Sequence, residues 1–236
     1  MAFALAITVG GIYRGIQQPA AGADLEPAGS AAFRAFDTDG PAADTVLPHF
    51  APLVAPRPAR AAPAVRRLGL PPIAGPSACD SAISEAERRY RIPPHVLRAV
   101  GLTEAGQAGT VYPWTANIAG ASRFYSSKEA AISGVSEALD QGVASVDVGC
   151  LQVNLHWHPN AFASLAEAFD PAVNVDYGAA YLRALHDQHE GSWTKAVQFY
   201  HSSTSHEQLR YLCAVLRRFH GLSGQGEGDI SRWCEG

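Results

Sequence analysis

The sequence predicts a mostly α, single helical domain of six or seven short helices with little strand, occupying residues 79–222. From Cys79 onward, apolar residues recur at helical spacing and are punctuated by capping signals. Eleven of the 16 prolines lie before Cys79, in a stretch rich in Ala and Gly that shows no sustained apolar period. Such a stretch cannot bury enough apolar surface to offset chain entropy, so 24–78 is predicted to be a disordered Ala/Pro-rich linker.

The first helix is expected from Asp80, as cap, through Tyr90, with Ile83, Ala86 and Tyr90 on one face. Pro93-Pro94 suits the first turn of the next helix, where a missing N–H costs little, and that helix ends near Glu104, before Gly106. Residues 107–125 lack helical period and read as a loop with a small hairpin. Ser126-Ser127-Lys128-Glu129 offers a capping box to a helix presenting Ile132, Val135 and Leu139. Residues 143–158 begin as irregular chain, and a short helix from Asn160 presents Phe162, Leu165 and Phe169. Asp170-Pro171 starts a longer helix whose buried stripe is Gly178, Tyr181, Leu182 and Leu185. Trp193, Ala196, Val197 and Tyr200 mark another. Ser205-His206-Glu207-Gln208 reads as a second capping box, before a helix burying Leu209, Leu212, Cys213, Leu216 and Phe219.

The flanks carry other signals. Residues 2–12 form an apolar run of signal-peptide length, followed by the small-x-small site Ala21-Gly22-Ala23, although no basic residues precede the run. We therefore read 1–23 as an atypical leader or apolar anchor, and the chain as exported to the periplasm or cell envelope. Residues 223–236 read as a polar tail. Cys79, Cys150, Cys213 and Cys234 lack metal-ligand spacing and fit an oxidising compartment. They allow three full pairings, among them Cys79–Cys150 with Cys213–Cys234, and four buried thiols are the alternative. From Cys79 there are 12 Lys and Arg against 17 Asp and Glu, which argues against a nucleic-acid surface.

Glu104 is where chemistry is expected. In a helix, Leu97, Val100 and Glu104 fall on one face, so the carboxyl points toward the apolar side. Burial raises a carboxyl pKa and keeps a proton available for general-acid work. The competing reading is a solvated glutamate in a fraying last turn. Asp147 is the candidate second carboxylate, and the reading preferred for it is an acceptor of backbone hydrogen bonds in a loop. In Gly149-Cys150-Leu151-Gln152-Val153-Asn154, the amides of Gln152 and Asn154 suit recognition of amide-bearing sugars. Tyr112, Trp114, Trp157 and Tyr200 are either core aromatics or flat faces for sugar rings. His156, His158, His201 and His206 fit no metal-binding motif, so neither metal nor cofactor is expected.

In this order, the pieces resemble the lytic transglycosylase domain of the soluble-lytic-transglycosylase, lysozyme-like kind. Ile92-Pro93-Pro94-His95-Val96-Leu97 through Leu102-Thr103-Glu104 is similar to the family's first motif, whose glutamate ends a helix. Gly149-Cys150-Leu151-Gln152 with Asn154 resembles its Gly-Leu-Met-Gln motif. Asn174 through Tyr181-Leu182 resembles the helix that follows, and Phe199-Tyr200-His201-Ser202 its Ala-Tyr-Asn-Ala-Gly segment. The likeness covers 79–220. Ala105 stands where the family commonly has serine, Leu151 replaces methionine, and His201-Ser202-Ser203 replaces Asn-Ala-Gly.

The resemblance implies an α+β lysozyme-like fold with a central cleft, peptidoglycan glycan strands as partner, and a monomer. It implies Glu104 as sole acid/base, cleaving between N-acetylmuramic acid and N-acetylglucosamine with a 1,6-anhydro product. Gln152, Asn154, Tyr200 and His201 would sit on the substrate side, with Tyr112 and Trp114 as further contacts. The alternatives are a goose-type hydrolytic muramidase and an inactive wall-binding module of a secretion or flagellar machine.

Overall fold

The computed structural model describes residues 77–202, 204–224 and Cys234. The segment at 1–23 read as a leader or anchor, nearly all of the 24–78 segment read as a linker and most of the 223–236 segment read as a tail lie outside them. The described helices are α1 (Ser77–Tyr90), α2 (Val96–Ala105), α3 (Lys128–Asp140), α4 (Leu165–Ala168), α5 (Pro171–Gln188), α6 (Trp193–His201) and α7 (Ser205–Ser223). The strands are β1 (Gly106–Gln107), β2 (Thr110–Val111), β3 (Thr115–Ile118), β4 (Ala121–Phe124), β5 (Val146–Val148) and β6 (Val153–Asn154).

Local chemistry sets many of the boundaries. Asp170 caps α5 by accepting from the backbone N–H of Ala172 and Val173 at 2.9 and 3.1 Å, and Pro171 occupies the first helical position. Ser127 caps α3 and Ser192 caps α6, each accepting an N–H three residues on. α7 ends at Gly224, which is left-handed and donates to the His220 carbonyl.

Two apolar clusters divide the fold. The helical lobe buries Ile83 of α1, Leu97 and Val100 of α2, Leu182 of α5, Val197 of α6, and Leu212 and Phe219 of α7. The sheet lobe buries Ala116 and Ile118 of β3, Val146 and Val148 of β5, and Val135 of α3 with Phe169. Each large side chain sequestered this way contributes about 1.5–3 kcal/mol. The sheet runs β4-β3-β5-β6, antiparallel throughout, and β1 with β2 forms a separate hairpin at the end of α2.

Several expectations need correction. Asp80 does not cap α1; the helix already includes Ser77, and the Asp80 carboxylate pairs with Arg98 at 2.9 Å. Residues 107–125 hold two hairpins, and 143–158 hold β5 and β6, so strand is more extensive than the sequence suggested. The helix expected from Asn160 starts at Leu165, because Ser164 supplies the cap. α3 buries Ala131, Val135 and Ala138 and leaves Leu139 37% exposed, since small residues let it lie close to the sheet. The second capping box does not form. Thr204 precedes the first turn of α7, Ser205 is already helical, and Gln208 donates instead to the Ser202 carbonyl.

The cysteines pair as Cys79–Cys150 and Cys213–Cys234, with sequence separations of 71 and 21. The first ties α1 to the loop after β5. Closing a loop of that length in the unfolded chain is worth roughly 4 kcal/mol in the chain-entropy model. Replacing Cys79 and Cys150 by serine is expected to cost most of that, read as a lower urea midpoint at unchanged slope.

Candidate active site

The site lies at the seam of the two lobes. Glu104 sits in the last turn of α2, one turn beyond Val100, on the face that packs into the helical core. Its side chain is half-buried, with its carboxyl crowded by protein atoms. The Tyr211 hydroxyl on α7 donates to Glu104 Oε1 at 2.6 Å. Burial pushes the Glu104 pKa up to about 8; the Tyr211 bond opposes that rise, and the nearby negative charge of Asp147 adds to it. The group therefore holds its proton at neutral pH. Tyr211 itself stays firmly protonated, first through burial and then through its proximity to Glu104.

His201, at the end of α6, stacks its ring on Tyr211 with centroids 4.7 Å apart and planes 6° from parallel. Tyr200, one residue earlier, is turned toward the same interior. Its hydroxyl donates to the Leu151 carbonyl at 3.1 Å, and its pKa is also driven well up, mainly by burial and then by Glu104. Tyr200 thus holds the 149–154 loop beside the carboxyl, while Tyr211 contacts the carboxyl itself.

The loop is built for that purpose. Gly149 has φ of 80°, and a Cβ there would collide with the Asn174 amide. Asn174, fully buried on α5, accepts from the Leu151 N–H at 2.9 Å and donates to the carbonyls of Val148 and Ala168 at 2.9 and 3.0 Å. A buried amide so fully engaged fixes the loop and leaves no orphaned polar group. Gly178 lets α5 approach: a Cβ there would lie 2.5 Å from Leu151 Cδ1 and 2.9 Å from the Tyr200 hydroxyl. Cys150 anchors the loop covalently to α1.

The other predicted residues take varied places. Gln152 has φ of 44°, and its amide donates to the carbonyls of Gly149 at 2.9 Å and Thr115 at 3.2 Å. Asn154 donates to Asp147 Oδ1 at 2.7 Å and accepts from the backbone N–H of His156 and Trp157, both at 3.0 Å. Its oxygen and one of its two amide N–H groups thus hold its neighbours. Asp147 lies on a strand rather than in a loop, and the hydrogen bond it accepts there comes from a side-chain amide rather than the backbone. Burial raises its pKa, while Asn154 and then His201 oppose the rise.

Tyr112 donates to the Tyr125 carbonyl at 2.8 Å and packs edge-on against Trp114 and Phe124. The Tyr112 backbone N–H also donates to the carbonyl of Ala105, the neighbour of Glu104, at 2.9 Å. Trp157 stands 57% exposed beside His156. His158 bonds Tyr177 at 2.9 Å, with burial lowering its pKa. A surface groove along α3, lined by Glu129, Ile132, Glu137 and Asp140 among others, shares no residue with the Glu104 group.

Tyr211 is the partner of Glu104 that sequence reasoning missed. Its signal was present: Tyr211, Val215 and Phe219 recur every four residues on α7 and are all buried. A tyrosine on such a stripe needs a partner for its hydroxyl.

The family model of the transglycosylase SLT domain matches residues 81–210, more than half of the chain. No curated protein matches the chain significantly, and no solved structure does either.

Gly178→Ala tests the tight approach of α5 to the loop. Helix propensity alone would favour Ala by about 1 kcal/mol. Displacing Leu151 and the Tyr200 hydroxyl is expected to outweigh that, for a net loss of about 1–2 kcal/mol in denaturant unfolding.

Proposed function

The chain belongs to the transglycosylase SLT domain family, and on that premise we propose that it is a peptidoglycan lytic transglycosylase with Glu104 as its single acid/base. The observation that carries this reading is a crowded carboxyl at the end of α2 that accepts the Tyr211 hydroxyl at 2.6 Å; burial pushes its pKa up to about 8, which favours the protonated form at neutral pH. A general acid works best with a pKa near the working pH.

Glu104 would protonate the glycosidic oxygen between N-acetylmuramic acid and N-acetylglucosamine. As its proton leaves, the new carboxylate is held by the Tyr211 hydroxyl, a bond that strengthens when its acceptor becomes charged. The carboxylate then takes the proton of the muramoyl C6 hydroxyl, whose oxygen closes onto C1. The product ends in a 1,6-anhydro ring, and Glu104 is protonated again. The nucleophile belongs to the substrate, so one proton-shuttling carboxyl is enough. Two disulfides support export into an oxidising compartment, where this substrate lies.

Digestion of purified sacculi tests the reading through product mass. Anhydro ends are expected, whereas a hydrolytic muramidase would give products heavier by about 18 mass units, the added water. Glu104→Gln is expected to lower turnover by about 10²–10⁴-fold.

The same substitution should stabilise the fold. Unfolded Glu104 ionises from about 4.5 upward, while the folded group holds its proton to about 8. Stability is therefore lost as pH rises between those values. Gln removes that loss, so the melting temperature of Glu104→Gln at pH 7 is expected to exceed wild type by a few degrees, on the order of 1 kcal/mol, with no gain at pH 4.

The wild-type rate should be level below about pH 8 and fall roughly tenfold per unit above it, as the acid ionises. Tyr211→Phe removes a bond that favours the carboxylate. Its kcat is expected to drop about 10–100-fold, with the alkaline limb of the pH profile moved upward.

A further inference from the structure

We propose that Trp157 is a sugar platform of this site: its bare indole stacks on one pyranose ring of the glycan strand, at a subsite away from the bond that is cut. The inference rests on the lytic transglycosylase reading and adds a binding residue to it.

Trp157 is 57% exposed, more than Phe124, Leu139 or Val173, the other large apolar side chains that reach solvent among the described residues. Tryptophan is usually well covered in a folded protein. Here the exposure does not come from a loose segment. The Asn154 side-chain oxygen accepts the backbone N–H of both His156 and Trp157 at 3.0 Å. The His158 N–H closes the turn onto the Asn154 carbonyl, also at 3.0 Å. On one side the His158 ring shares a hydrogen bond with the Tyr177 hydroxyl at 2.9 Å, and on the other His156 meets the indole in a T-shaped contact. The chain is fixed on both sides of Trp157, and the ring is left bare.

The turn also sets its place. Residues 154–158 form a single helical turn capped by Asn154, and positions three apart in such a turn are neighbours on one face. Trp157 therefore lies on the side of Asn154. The strand register puts Asn154 of β6 opposite Asp147 of β5, and Asp147 opposite Asn117 of β3, so three polar side chains line one face of the sheet. In the other direction Trp157 adjoins His158, which packs against Tyr181 of α5 with centroids 4.8 Å apart. Tyr181 packs against Tyr200 at 5.6 Å, and Tyr200 holds the 149–154 loop beside Glu104. Two chains of contacts thus run from Trp157 back to the Glu104 group.

A β-1,4-linked pyranose carries its hydroxyls and acetamido group around its edge and turns C–H bonds to its two faces. It needs a flat apolar surface against one face and polar groups at its rim. Indole supplies the first. The polar row of the sheet supplies the second, including the amide N–H of Asn154 that is not used in its bond to Asp147. A platform already fixed by its turn loses little freedom when a sugar lands on it, so the contact is realised as affinity. Asn154 and Asp147 stand between Trp157 and Glu104 on one path, and His158, Tyr181 and Tyr200 on the other. The sugar held by Trp157 is therefore not the one whose bond breaks. Its contact is the same before and during the reaction, which lowers KM and leaves kcat unchanged.

The test measures binding without turnover, in the Glu104→Gln background, on soluble glycan strands stripped of their stem peptides by an amidase. Trp157→Ala in that background is expected to bind about tenfold more weakly, and Trp157→Phe, which keeps a flat ring, about threefold. Tryptophan emission should shift when the Glu104→Gln protein binds, and most of that shift should be absent once Trp157→Phe is added. With Glu104 intact, Trp157→Ala should raise KM on sacculi about tenfold with kcat within about twofold. The melting temperature should not move, because the ring packs on little. Equal affinity of Trp157→Ala and its parent, or of the Ala and Phe variants, would overturn the proposal and leave the ring to another contact, such as a protein partner. A loss confined to kcat would overturn it too, as would one seen only on strands that keep their peptides. If wild type turns over sacculi and Trp157→Ala matches it in KM and in binding, this inference alone fails. If Glu104→Gln binds no strands and wild type releases no product, the lytic transglycosylase reading falls and this inference falls with it.

Discussion

A carboxyl group that keeps its proton in a partly dry seam is the constraint around which this domain is organised. Burial makes the charged form of Glu104 costly, and the Tyr211 hydroxyl at 2.6 Å offsets only part of that cost. The balance works only while α2 and α7 keep their spacing. The helical core supplies that spacing, packing Leu97 and Val100 of α2 together with Leu212 and Leu216 of α7. Just beyond Tyr211, Cys213 ties α7 to Cys234, so the helix that supplies the phenol is also stapled to the tail.

The opposite wall depends on one loop, 149–154, and nearly every force in the fold is used on it. Gly149 supplies a left-handed turn, Asn174 supplies a buried amide with three hydrogen bonds, and Tyr200 supplies a hydroxyl. Cys79–Cys150 adds a covalent tie to α1, and Gly178 removes the side chain that would hold α5 away. These devices sit on different elements, so the loop is determined from several directions at once. Rigid support of this kind lets a site hold reacting groups without reorganising during the reaction.

Much of this was legible in the sequence, and the limits have physical causes. The helices α5 and α6 announced themselves through Asp170-Pro171 and their apolar stripes, because capping and periodicity are local effects. The strands did not. β5 has three residues and β6 has two, and what makes them strands is pairing with partners distant in sequence, such as Asn117 with Asp147. That pairing also hid Asp147, which reads locally as a loop acid but lies on the polar face of a sheet. Glu104, Gln152 and Tyr200 could be placed by their order along the chain. Tyr211 could not, because its significance comes from a contact 107 residues away. Asn154 has a role that its sequence did not show: its amide ties Asp147 to the chain that follows, through one N–H given to Asp147 and an oxygen that accepts two backbone N–H groups.

The central claim is that Glu104 is an acid at neutral pH, and direct titration of its side-chain carboxyl by carbon-13 NMR addresses it without relying on turnover. The account predicts a midpoint of about 8, far above the ordinary 4.5 for glutamic acid. A midpoint near 4.5 would show a solvated carboxylate at the end of α2, and it would contradict the buried-acid basis of the mechanism.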